Sequence, residues 1–116
     1  MHELSLCQAL LGQVEAVAQQ HRSEGVTRIV LQIGPLAGVE PRLLQEAFPV
    51  ACAGSVAAHA ELRIEPLPIR VRCTRCGAES EATANRLLCG ACGDWQTQLI
   101  SGDEMVLASV EMIREQ

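Results

Sequence analysis
The sequence predicts an α+β fold: a three-stranded mixed sheet with two helices, interrupted by a small cysteine-rich insert. Three observations predict it. Two segments repeat apolar residues at helical spacing, three others alternate as strands, and four of the six cysteines crowd into residues 73–92. The chain has 116 residues, 48% of them hydrophobic and 20% charged, which is enough apolar matter for one core and too little charge for global disorder. Phe48 and Trp95 are its only aromatic residues, so the core must be built from Leu, Val, Ile and Ala.

Taken in order, residues 4–21 form the first predicted helix. Leu4, Cys7, Leu10, Leu11, Val14, Val17, Ala18 and His21 share one face, and Gly25 suits its exit. Residues 27–33 alternate, with Ile29, Leu31 and Ile33 on one side. Gly34-Pro35 and Gly38 mark a loop, and Pro41 fits the first turn of a second helix that buries Leu44, Ala47, Phe48 and Cys52. Pro49 predicts a kink or an early end there, and Gly54 closes the element.

Residues 60–73 are extended, but the apolar parity changes between Leu62/Ile64 and Leu67/Ile69/Val71, with Pro66 and Pro68 at the shift. A strand that swaps its buried face bends or passes between sheets. The predicted domains are therefore residues 1–66 together with 100–116, and an insert at 67–99. Residues 99–113 return as a strand in which Val106, Ala108, Val110 and Met112 alternate with Leu107, Ser109 and Glu111.

The insert holds Cys73-Thr-Arg-Cys76-Gly and Cys89-Gly-Ala-Cys92-Gly, separated by the twelve residues 77–88. Each CxxC turn aims two sulfurs at one point, and Gly77 and Gly93 permit a turn with positive φ. The spacing fits a zinc-ribbon-like lobe of four cysteines, with Cys73, Cys76, Cys89 and Cys92 as ligands of Zn(II). Four protein ligands close the shell, so the site is structural. A four-thiolate set also accepts iron, as in a rubredoxin-like electron carrier. Cys7 and Cys52 lie on apolar helix faces and read as small buried hydrophobes.

The chain starts Met1-His2-Glu3. The Met1 amine, the His2 amide nitrogen and His2 Nδ1 close successive five- and six-membered rings on a metal, and the Glu3 amide closes another. Deprotonated amides suit a square-planar ion, so Ni(II) or Cu(II) is favoured over zinc. An ordinary surface histidine at a chain end is the competing reading. His21 and His59 have no ligand-spaced neighbours.

The net charge is −5, Lys is absent, and no basic stripe or stacking aromatic set appears, which argues against nucleic acid. No apolar run reaches the roughly 20 residues that span a bilayer. No export signal is visible, and the expected location is cytoplasmic, with the cysteines reduced. There is no nucleophile–base pair and no P-loop, so the chain reads as a non-enzyme. A zinc-ribbon adaptor that only mediates protein contacts is the main alternative function.

Together, Met1-His2-Glu3-Leu4-Ser5-Leu6, Ile33-Gly34-Pro35-Leu36-Ala37-Gly38-Val39-Glu40-Pro41, the paired CxxC motifs and Ser101-Gly102-Asp103-Glu104-Met105 resemble the HypA/HybF family of hydrogenase nickel-incorporation proteins. The resemblance spans the whole chain. It implies a nickel metallochaperone with a nickel lobe and a zinc lobe. His2 becomes the essential nickel ligand, Met1 and Glu3 supply neighbouring backbone donors or the Glu3 carboxylate, and the four cysteines bind zinc. It also implies a partner GTPase and delivery to the large subunit of [NiFe] hydrogenase. Some members serve urease, and members occur as monomers and homodimers. Some offer a further histidine from the zinc lobe, whereas no His follows His59 here.

Overall fold
A computed structural model describes residues 2–113, and of His2 only the backbone. The elements are α1 (His2–Gln20), β1 (Val26–Ile33), α2 (Pro41–Cys52), β2 (Glu61–Pro66), β3 (Ile69–Cys73), β4 (Glu79–Ala82), β5 (Thr97–Ser101) and β6 (Met105–Met112). They form a mixed sheet of order β2-β1-β6 and a second sheet of order β4-β3-β5, alongside two helices. Contacts divide the chain into two compact units. Among the described residues the first contains 2–31, 39–65 and 106–113, and the second 32–38 and 66–105. No helix among the described residues is long and apolar enough to cross a membrane.

In the first unit, α1 buries Cys7, Leu10, Val14 and Ala18, a three- and four-residue spacing that lines one helix face. It packs on α2, whose buried residues are Leu44, Phe48 and Cys52. The Cys7 thiol donates to the Leu44 carbonyl at 3.6 Å. Val26, Ile29, Leu31 and Leu62 supply the buried sheet positions. Strand β1 runs antiparallel to β6: Ile113 N donates to Gly25 O, and Thr27 Oγ1 donates to Glu111 O.

Three local expectations need correction. Helix α1 begins at His2, two residues before the apolar periodicity starts. Its exit is made by Arg22, which takes the left-handed conformation (φ 53°), rather than by Gly25. Gly25 instead lies beside Ile113: a Cβ there would fall 2.6 Å from Ile113 Cδ1, the mobile end of a half-exposed side chain that would have to shift. Helix α2 continues through Pro49 to Cys52 without an early end. Pro49 lies on the exposed face, in the last turn, where little helix remains to be disrupted.

In the second unit, β3 pairs antiparallel with both neighbours, Val71 facing Ser80 on β4 and Leu99 on β5. The parity change at Pro66–Pro68 is the step from the first sheet to the second, as the two buried faces required. The single strand expected over 99–113 is two strands. Thr97–Ser101 joins the second sheet, Met105–Met112 joins the first, and Gly102 turns between them at φ 116°. Alternation also fails within β6. The sheltered positions are Met105 and Leu107 and then Val110 and Met112, so the parity slips at Ala108-Ser109. An apolar run covers such a break without showing it.

Candidate metal centre
The centre is built by two hairpin turns. Strand β3 delivers Cys73 at its last residue, and the chain turns through Thr74-Arg75 to Cys76. The second turn carries Cys89-Gly90-Ala91-Cys92. The turns are conformational copies. Gly77 N donates to Cys73 O at 3.0 Å and Gly93 N to Cys89 O at 2.9 Å, with Gly77 at φ 76° and Gly93 at φ 77°. Both glycines adopt the positive φ that their positions predicted.

All four Sγ atoms lie within 4.8 Å of one another, with Cys73–Cys92 and Cys76–Cys89 at 3.6 Å. Zinc–sulfur bonds of about 2.3 Å place tetrahedral sulfurs roughly 3.8 Å apart, so the observed edges fit a tetrahedral ion. Cys73 and Cys89 are buried, whereas Cys76 and Cys92 are exposed. Among the described residues no other group of three or more Cys, His, Asp or Glu converges this way.

The first cysteine of each turn is prepared for negative charge. Cys73 Sγ accepts from Cys76 N and Arg75 N, both at 3.4 Å. Cys89 Sγ accepts from Cys92 N at 3.4 Å and Ala91 N at 3.3 Å. These N–H groups hold the Cys73 thiol below its ordinary range, the Cys76 N–H foremost, and bring Cys89 down to about 6, led by the Cys92 N–H. Cys76 and Cys92 shift upward. The N–H groups of Ala78 and Asp94 lower them, but the neighbouring sulfurs and burial together outweigh this and take Cys92 to about 12. Four thiolates this close repel one another, and a divalent cation at their centre removes that limit.

Outer contacts tie the turns together. Thr74 N and Thr74 Oγ1 donate to Gln96 O at 2.9 and 2.7 Å, and Cys89 N donates to Asp94 O at 2.9 Å. Arg75 Nη1 reaches Asp94 Oδ2 at 3.0 Å. Asp94 Oδ1 also accepts Gln96 N at 2.7 Å, and this bond leads the lowering of its carboxyl. Sequence reading missed Arg75 and Asp94, although Asp94 directly after the glycine of the second turn is a recognisable turn residue.

The centre therefore gathers all four predicted cysteines. Cys7 and Cys52 are buried, and among the described residues neither joins a group of three or more potential ligands. Burial raises both thiols, Cys52 to about 11, with Cys7 and Glu15 adding to the Cys52 shift. His21 is exposed, and its Nδ1 lies 3.0 Å from Val17 O at the end of α1. His59 is exposed in the loop before β2. Met1 and the His2 side chain lie outside the described residues. Glu3 is half-buried in the first turn of α1.

The family model for "Hydrogenase/urease nickel incorporation, metallochaperone, hypA" matches residues 1–112. A hydrogenase maturation factor HypA from Nitrosospira multiformis is 47% identical over 113 residues, covering 97% of this chain and 98% of the relative. One from Aquifex aeolicus is 44% identical over 112 residues, covering 97% of each. The solution structure of the Ni metallochaperone HypA from Helicobacter pylori superposes with TM-score 0.74 at 26% identity, covering 97% of this chain and 98% of that one. A second HypA solution structure gives TM-score 0.77 at 27% identity, covering 99% and 98%.

Proposed function
Because the chain belongs to the HypA family of hydrogenase and urease nickel-incorporation metallochaperones, we propose that it carries Ni(II) at its N-terminus and a structural Zn(II) on its four clustered cysteines. The observation that carries the reading is the family match across residues 1–112, which takes in both the Met1-His2-Glu3 start and the paired CxxC turns.

His2 is the principal nickel ligand in this reading, with the Met1 amine, the His2 and Glu3 amide nitrogens and the Glu3 carboxylate as further donors. The start of α1 at His2 supports it. The first four N–H groups of a helix make no intrahelical hydrogen bond, so a metal held by backbone nitrogens at a helix start breaks no bond of the helix itself. Zinc on Cys73, Cys76, Cys89 and Cys92 has its shell filled by sulfur and keeps the second lobe folded. Nickel is cargo and needs a release route. Donors at a helix start let an acceptor exchange ligands one at a time.

The proposed domains are residues 1–66 with 100–116 for nickel and 67–99 for zinc. The proposed partners are the GTPase of the nickel-insertion pathway and the large subunit of [NiFe] hydrogenase, with urease accessory proteins as further clients. The protein works in the cytoplasm, as monomer or homodimer, and catalyses no reaction of its own.

The test is calorimetric nickel titration of zinc-loaded protein with its native Met1 and no N-terminal tag, beside the His2→Ala variant. One tight nickel site lost in the variant, with zinc retained, supports the reading. Equal binding by both proteins, or none by either, leaves a zinc-ribbon adaptor as the better account.

A further inference from the structure
We infer that the Arg75–Asp94 ion pair is a latch that governs how fast the metal leaves the four-cysteine centre; this rests on the reading of that centre as a zinc site. The two turns are linked by the β3–β5 ladder, in which Cys73 pairs with Thr97. The link extends one rung further, from Thr74 to Gln96. Beyond that rung the backbones no longer pair. The next connection is side chain to side chain, Arg75 Nη1 to Asp94 Oδ2 at 3.0 Å.

Both ends of this connection are anchored through their own backbone to a ligand cysteine. Arg75 N donates to Cys73 Sγ, and Asp94 O accepts from Cys89 N. The Asp94 side chain is only 12% exposed and is held by Gln96 N, so it presents a fixed carboxylate; the Arg75 side chain is 71% exposed. A metal held by four thiolates leaves when one turn swings away from the other, starting at the exposed sulfurs Cys76 and Cys92. The ion pair spans that opening. It also brings one positive charge to a centre whose four thiolates leave a divalent ion overcompensated by two negative charges. Ordinary exposed pairs contribute little because both partners are mobile and screened. Here one partner is fixed and sheltered.

Arg75 is therefore a positioning residue, not a ligand. The experiment measures zinc release from the full-length, zinc-loaded protein into a chromophoric chelator, at chelator excess where the rate no longer depends on its concentration. Arg75→Met is expected to release zinc about fivefold faster, and Arg75→Lys to stay close to the parent because it keeps the charge. Release from the parent should accelerate with added salt, and release from Arg75→Met should not. Equal rates for parent and Arg75→Met, or a parental rate indifferent to salt, would overturn the latch. The salt arm needs no variant, so it decides the matter even where Arg75→Met does not fold. Elemental analysis of the same samples separates the two readings. Protein purified without zinc removes the zinc assignment and the latch with it, whereas equal release from fully zinc-loaded proteins removes the latch alone.

Discussion
Gly34 lies against the backbone of Gly102: a Cβ on residue 34 would overlap the Gly102 carbonyl. Around that contact Gly34 N donates to Glu104 O at 2.9 Å, Leu36 N to Gly102 O at 2.8 Å, and Gly102 N to Glu104 Oε1 at 2.7 Å. The segments after β1 and after β5 thus clasp each other through bare backbone. Gly34→Ala is expected to cost about 3 kcal/mol or more, because the obstacle is backbone and cannot rotate aside. Gly38→Ala is the control. Gly38 has φ 73° but open space around it, so only the left-handed penalty of about 1–2 kcal/mol applies. Urea unfolding followed by circular dichroism ranks the two.

Arg22→Gly is expected to stabilise the protein by about 0.5–1 kcal/mol. Arg22 ends α1 in the left-handed region, where a Cβ is unfavourable, and its side chain is exposed. The gain is partly offset by the greater freedom of glycine in the unfolded chain. A rise in the urea midpoint at unchanged slope is the expected result.

Removal of the metal should unfold the β4-β3-β5 lobe before the helices. That lobe buries few large side chains apart from Ile33, Ile69 and Val71, so ligand bonds must supply much of its stability. Titration with a strong chelator should abolish the sharp amide signals of β3–β5 while far-ultraviolet helical ellipticity persists. Simultaneous loss of both would show the lobe to be stable only as part of a larger cooperative unit.

In the metal-loaded native protein, Cys7 and Cys52 should resist thiol reagents at neutral pH, because each is fully buried and burial holds its thiol above the ordinary value. The pH consequence has a definite sign. Cys52 is raised from 9.0 to about 11, so the folded state binds its proton more tightly than the unfolded chain. That contribution is complete below pH 9 and is lost as pH climbs towards 11. A Cys52→Ala variant should show a flatter decline in stability across that window.

Much of the arrangement was legible from residue patterns. Cysteine spacing located the metal centre, and the parity change around Pro66–Pro68 located the passage between sheets. Both are short-range signals that the chain states locally. What stayed hidden depends on contacts between distant residues. Nothing near Gly34 says that its neighbour is Gly102, and nothing near Arg75 says that Asp94 stands opposite. The division of residues 97–112 into two strands was legible but was read past: Gly102-Asp103-Glu104 interrupts the aliphatic run at the break. The start of α1 at His2 was hidden because Glu3, Leu4 and Ser5 are not buried, and the first buried side chain among the described residues is Cys7.

The order of strands has a consequence for synthesis. Strand β6, the last in chain order, is the edge neighbour of β1, which is made near the beginning. Every cysteine of the metal centre precedes β6. During translation the ribosome therefore exposes the complete ligand set before the first sheet can close, and the nascent chain can acquire its metal while β1 still waits for its final partner.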